Sequence, residues 1–231
     1  MTAPVVRGTC TPVPFVGVSA DIVIVDTVGA VDGDILVLKW ESAESATAIT
    51  GYPDVSWVQP SGFPVSGNGA SCSMAYKLIA ASEGASWTFT LDASTRNGIA
   101  TVVIIDGSTT DNQLAGTPAG AQDTNGASHT TPALTTPVND CLVLTLFGAD
   151  STGSRTWSGG GDAELADAQE GGTWTSMAIY SSVQALAGSV TKTATSSGNV
   201  IASMGIIAFS PNAGEPPALG RQFQRSSVVG L

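Results

Sequence analysis

Short apolar stretches recur along the chain, each bounded by turn-forming residues, at 22–28, 35–40, 73–80, 87–91, 99–105, 142–147, 177–185 and 200–209. They are enriched in β-branched and aromatic side chains, and their length and spacing predict strands rather than helices. Trp87-Thr88-Phe89-Thr90-Leu91 alternates strictly, which puts Trp87, Phe89 and Leu91 on a core face and the threonines on a wet face. Between these stretches lie Asp32-Gly33-Asp34, Gly67-Asn68-Gly69, Arg96-Asn97-Gly98, Asp106-Gly107-Ser108, Asn125-Gly126 and Gly159-Gly160-Gly161, all strong turn signals. The pattern predicts an all-β fold: a two-sheet antiparallel β-sandwich, jelly-roll-like, with Leu36, Leu38, Trp87, Phe89, Val103, Leu142, Leu144 and Ile207 in its core.

A second level of order is a faint internal duplication. Gly33–Leu38 resembles Asn139–Leu144 at an offset of 106 residues, and Ser73-Met74-Ala75 matches Ser176-Met177-Ala178 at 103, a register that then runs on to set Val103-Ile104 against Ile206-Ile207. The matched letters are common ones, so chance similarity is one reading. Two related half-repeats folded into one sandwich is the other. Three segments follow: an extended N-terminal arm over 1–14, where Pro4, Pro12 and Pro14 disfavour a central strand; a single domain over 15–211; and an extended C-terminal arm over 212–231. In the last segment Arg221 and Arg225 are spaced among Phe223, Val228, Val229 and Leu231, a composition suited to pairing with an acidic, partly apolar neighbour. The arms pack either on their own sandwich or on neighbouring subunits.

Composition narrows the partners. The 231 residues carry a formal charge of −11 with a pI near 4.1, which disfavours nucleic acid. Charged residues are 12%, about half the usual ~25%, as suits a turn-rich β protein in which Ser, Thr, Ala and Gly stand in for Lys and Glu. Apolar runs fall well short of the roughly 18 residues needed to span a bilayer as a helix, so membrane insertion is not expected. The first residues lack the pattern of a signal peptide, so the chain is expected to be made in the cytoplasm of the producing cell and not to export itself. Cys10, Cys72 and Cys141 have no metal-ligand or disulfide-framework spacing and are expected to be reduced and buried.

Candidate chemistry is sparse. His129 lies in a polar segment, Asn125–Pro132, where a histidine is ordinarily solvated, and no GxSxG, HExxH or phosphate-loop pattern accompanies it. Asp162, Glu164, Asp167 and Glu170 crowd a glycine-flanked stretch without the calcium-loop spacing, and a solvated acidic loop is the simpler reading. Asp32 and Asp34 read as turn residues. Tyr52, Trp57 and Phe63, set among prolines and glycines, and Trp157 beside Ser158-Gly159 are candidates for stacking on a sugar or anchoring a protein contact; alternatively their rings cap the end of the sandwich. Trp40, Trp87 and Trp174 read as core or half-core. No catalytic residue, metal site or cofactor is expected.

The succession Val31-Asp32-Gly33-Asp34-Ile35-Leu36-Val37, Pro60-Ser61-Gly62-Phe63, Met74-Ala75-Tyr76-Lys77, Glu83 with Trp87–Thr90, Ala100–Gly107 and Ile206–Pro211 resembles β-sandwich virion proteins of tailed bacteriophages, many of which, in phages of actinobacteria, are labelled minor tail proteins. The similarity spans roughly 15–211 and rests on strand and turn signals, with Phe63 where that group often has tryptophan. It implies a non-enzymatic structural protein on the particle surface, either a minor tail protein or a capsid decoration protein. Its implied partners are other virion proteins, copies of itself and a host cell-surface glycan. The alternative from a different class is a carbohydrate-binding module or receptor-binding adhesin using Tyr52, Trp57 and Trp157.

Overall fold

In the computed structural model, residues 3–18, 21–43, 49–67, 71–79, 83–91, 96–106, 114–151, 153–171 and 175–211 are described. The first half supplies β1 (Val5–Thr9), β2 (Val13–Val18), β3 (Ile22–Val25), β4 (Asp34–Ser42), β5 (Ile49–Gly51), β6 (Val65–Ser66), β7 (Ser71–Leu78), β8 (Ser86–Leu91) and β9 (Arg96–Asp106). The second supplies β10 (Ala119–Gln122), β11 (Gly126–Thr130), β12 (Leu134–Thr136), β13 (Cys141–Asp150), β14 (Trp157–Ser158), β15 (Ala163–Gln169), β16 (Ser176–Gln184), β17 (Gly188–Val190) and β18 (Thr193–Phe209). All eight segments expected from the sequence reappear as strands, and every named pairing is antiparallel.

Two large sheets face each other at the centre. One has the order β1-β9-β4-β7-β6 with β2 also on β9, the other β10-β18-β13-β16-β15. Between them Ile35, Val37, Met74, Val103 and Ile105 from the first sheet meet Leu142, Leu144, Leu146, Ile179, Ile207 and Phe209 from the second. The opposite faces are covered too. The small sheet β3-β8-β5 lays Ile24, Trp87, Phe89 and Leu91 over Leu36, Leu38, Trp40 and Ile104, while β11, β14 and the first part of β18 cover Phe147, Ala149 and Tyr180. The β12-β17 pair sits over Val143 and Ala208. The sandwich therefore has outer layers, and this explains why β4 and β13 are apolar at both parities: strands buried on both faces need no alternation, whereas the outer strand β8 alternates exposed and buried. All eight residues expected in the core are buried, each such large side chain contributing roughly 1.5–3 kcal/mol.

The central strands of both halves pair antiparallel: Ile35 lies opposite Leu78 and Ile105, and Leu142 lies opposite Val183 and Phe209.

The N-terminal residues pack on their own sandwich: Val5–Thr9 and Val13–Val18 pair with β9 along the edge of its sheet, with Pro14 tolerated because β2 has its partner on one side. The C-terminal arm residues Arg221, Phe223, Arg225, Val228, Val229 and Leu231, and also Trp174, lie outside the described residues.

Candidate functional site

The four aromatic candidates are held by the core. Trp57 is 6% exposed, stacks on Tyr52 at 6.5 Å between centroids and meets Phe89 edge-on at 5.1 Å. Tyr52, partly buried, donates its hydroxyl to Gln59 Oε1 at 3.1 Å. Phe63 enters the space between the central sheets, where a Cβ on Gly205 would come within 2.9 Å of its ring. Trp157 is 4% exposed and donates its indole N–H to Ser176 Oγ at 3.2 Å. Trp57, Phe63 and Trp157 are buried in this way and present no open face on which a sugar could stack.

The acidic stretch is a strand, not a loop. Asp167 accepts from the Trp157 amide at 2.9 Å, burial raising its carboxyl above the usual range, and Glu170 is buried. No group of three metal-ligating side chains occurs among the described residues. Asp34, at the strand entrance, is 1% exposed; it receives Arg7 and the Val31 amide, both at 2.9 Å. The three cysteines are free and buried.

Two constellations were not legible beforehand. The first is built on His129, which is fully buried in β11 rather than solvated. Its Nδ1 lies 2.6 Å from Asp123 Oδ2 and its Nε2 lies 3.1 Å from Ser196 Oγ, while Asp123 Oδ1 accepts the Ala202 amide at 2.9 Å. The order Asp–His–Ser is that of a hydrolytic triad. Its surroundings are not those of one. Ser196 Oγ lies 2.7 Å from the Gly198 carbonyl, closer than to the ring, so its single proton is directed to a backbone acceptor. Ser196 is 3% exposed, the imidazole lies 5.4 Å from the Trp157 ring, and the amide after the serine is bound to Thr156 O at 2.9 Å instead of facing a developing oxyanion. The arrangement is a buried polar relay fastening β11 to β18. The burial of His129 corrects the sequence reading of a solvated histidine. Because Asp123 and Ser196 lie on different segments from His129, no local motif could have announced the cluster.

The second constellation lies between the central sheets. Lys39 and Glu41, both fully enclosed, form an ion pair. Lys39 Nζ also contacts Cys72 Sγ at 3.1 Å and the Trp40 carbonyl at 3.3 Å. Across the interface Ser203 donates to Glu41, and Gly148 leaves room for that carboxylate, since a Cβ there would sit 2.1 Å from its Cδ. Burial pushes Glu41 up to about 7 and the Cys72 thiol up to about 11, each against the opposing pull of the lysine. The cluster ties β4 of one sheet to β13 and β18 of the other. A signal for it does exist: in Asp34–Ser42 the odd positions Ile35 and Val37 are as apolar as the even ones, so Lys39 and Glu41 on that same face must be covered and must pair.

On the outside, a groove of about 730 Å³ runs where the edge strand β1 passes the edge strand β15. Pro4, Val5, Leu142, Leu165 and Val183 line it together with Glu164, and Val5 and Val183 are 62% and 50% exposed.

No family model, curated protein or solved structure matches this chain.

Proposed function

We propose that the chain is a non-enzymatic structural protein of a tailed-bacteriophage virion, standing on the particle surface as a minor tail protein or a capsid decoration protein. The observation that carries this reading is the apolar groove between two sheet edges, joined to the sequence resemblance above. An exposed apolar strip flanked by unpaired strand edges is a surface suited to receiving an extended segment of another chain. Phe209, the last residue of β18, pairs with Leu142 on the groove's lining, so the segment that follows begins beside it.

That segment holds Arg221, Phe223, Arg225, Val228, Val229 and Leu231. In this reading the arm of a neighbouring copy enters the groove, its arginines meeting Glu164 and its apolar side chains meeting Val5, Leu165 and Val183. Many copies of a modest contact then hold one lattice. The burial of the Ser196–His129–Asp123 relay supports the non-enzymatic part of the proposal.

The test is deletion of residues 218–231. The truncated sandwich is expected to fold, with unchanged circular dichroism, and to be lost from sedimented particles. Co-sedimentation at the full-length level would contradict the arm's role.

A further inference from the structure

The lysine–glutamate–cysteine cluster sits deep in the inter-sheet core, away from the groove, and carries chemistry that the assembly reading does not need. Lys39 and Cys72 belong to adjacent strands: Cys72 lies directly opposite Glu41, so Lys39, two residues along on the same face, reaches it diagonally. The 3.1 Å between Nζ and Sγ is a contact of reacting distance, and both atoms are enclosed. Cys141, by contrast, directs its thiol to the Val138 carbonyl at 3.2 Å.

We propose that Lys39 and Cys72 form a covalent Nζ–O–Sγ bridge, with dioxygen as the oxidant. The thiol and the neutral amine each give up two electrons to one O₂. One oxygen atom becomes the bridge, forming an N–O and an S–O bond, and the other leaves as water, taking the thiol proton and one amine proton. The O–O bond is the one broken with the N–H and S–H bonds, and the amine remains as a secondary nitrogen.

Glu41 acts as the positioning residue. Its carboxylate pairs with Nζ and takes the ammonium proton, which frees the nitrogen lone pair for the bond toward Cys72. Burial works against the charged form of each member, while Glu41 and Cys72 pull the lysine the other way and raise it above its ordinary value, so the amine reacts only after its proton passes to Glu41. The same enclosure keeps water and bulky thiols from the product, while a small apolar gas permeates a protein core. The bridge clamps β4 to β7 and closes the chain between residues 39 and 72, a loop that includes Tyr52, Trp57 and Phe63.

The test is mass spectrometry of the purified full-length protein, kept either anaerobic with reductant or exposed to oxygen. The bridge adds about 14 Da, one oxygen gained and two hydrogens lost, and dithiothreitol reverses it once the protein is unfolded. Tryptic digestion of the unfolded oxidised protein is expected to lose cleavage after Lys39 and to yield its peptide joined to the one containing Cys72. Lys39→Met strands Glu41 without its cation, so Cys72→Ser, which keeps the Lys39–Glu41 pair, carries the control and is expected to show no shift. An unchanged mass after oxygen exposure overturns the proposal. So does a gain of about 16 or 32 Da with cleavage after Lys39 intact, which marks simple thiol oxidation, or a loss of about 2 Da, which marks a direct N–S or S–S bond.

Discussion

Replacing His129 by alanine separates a structural relay from a catalytic one. The ring is fully buried against Trp157 and contacts Asp123 and Ser196. Removing it leaves a cavity of aromatic size, and truncations of that kind cost about 3–5 kcal/mol. Little is added by the stranded partners: Asp123 keeps the Ala202 amide and is 24% exposed, and Ser196 keeps the Gly198 carbonyl. At roughly 2–4 °C per kcal/mol for a chain of this size, the midpoint of thermal unfolding falls by about 6–20 °C. Ser196→Ala removes the bond to Gly198 and leaves buried His129 Nε2 without its partner, which costs about 1–3 kcal/mol and lowers the midpoint by about 2–12 °C. The assay is thermal unfolding followed by near-ultraviolet circular dichroism, with hydrolysis of an activated ester measured on the same samples. A structural relay gives the larger thermal shift for His129→Ala, a smaller one for Ser196→Ala, and no enzymatic turnover in either variant or in the parent. A thermally silent His129→Ala would refute it, as would an ester hydrolysis that Ser196→Ala abolishes while leaving stability intact.

Other substitutions probe the space between the sheets. Gly148→Ala sets a Cβ within 2.1 Å of Glu41 Cδ, so a loss of at least about 1–3 kcal/mol is expected in urea unfolding, as for overpacked cores. Glu41 has its folded carboxyl raised from 4.5 to about 7, so the folded state binds the extra proton; the stability this contributes is complete below about pH 4.5 and is lost as pH rises through 7. Comparing the parent with Glu41→Gln at pH 5 and pH 7.5 is expected to show a steeper fall in the parent, and parallel pH profiles would contradict the assignment. Phe63→Ala empties a site between the sheets and is expected to cost about 3–5 kcal/mol without a specific effect on sugar binding, checked by urea unfolding and by binding to glycan arrays.

Much of the fold was legible because strand signals are local. Trp87–Leu91 announces an outer strand by alternation, and Ile35–Leu38 and Leu142–Leu144 announce covered strands by being apolar at both parities. The short strands β5, β12, β14 and β17 carry two or three residues each and hold their places through partners far along the chain, which no window of sequence contains. The same reason hid the polar clusters. Asp123, His129 and Ser196 meet only because β18 passes from the outer layer into the central sheet, pairing with β11 and β14 first and with β13 afterwards. The aromatic residues around Pro60 were misleading as surface candidates because prolines and glycines mark a turn-rich path, and such a path can still run with its rings turned inward.

A place on the virion surface is visible in an image of the particle. Electron cryomicroscopy of purified particles of the phage proposed to encode this chain, with an antibody fragment against the sandwich as marker, is expected to show it in a repeating arrangement on the tail or the capsid shell. Particles without the chain, with the protein remaining in the soluble fraction of the lysate, would contradict the claim.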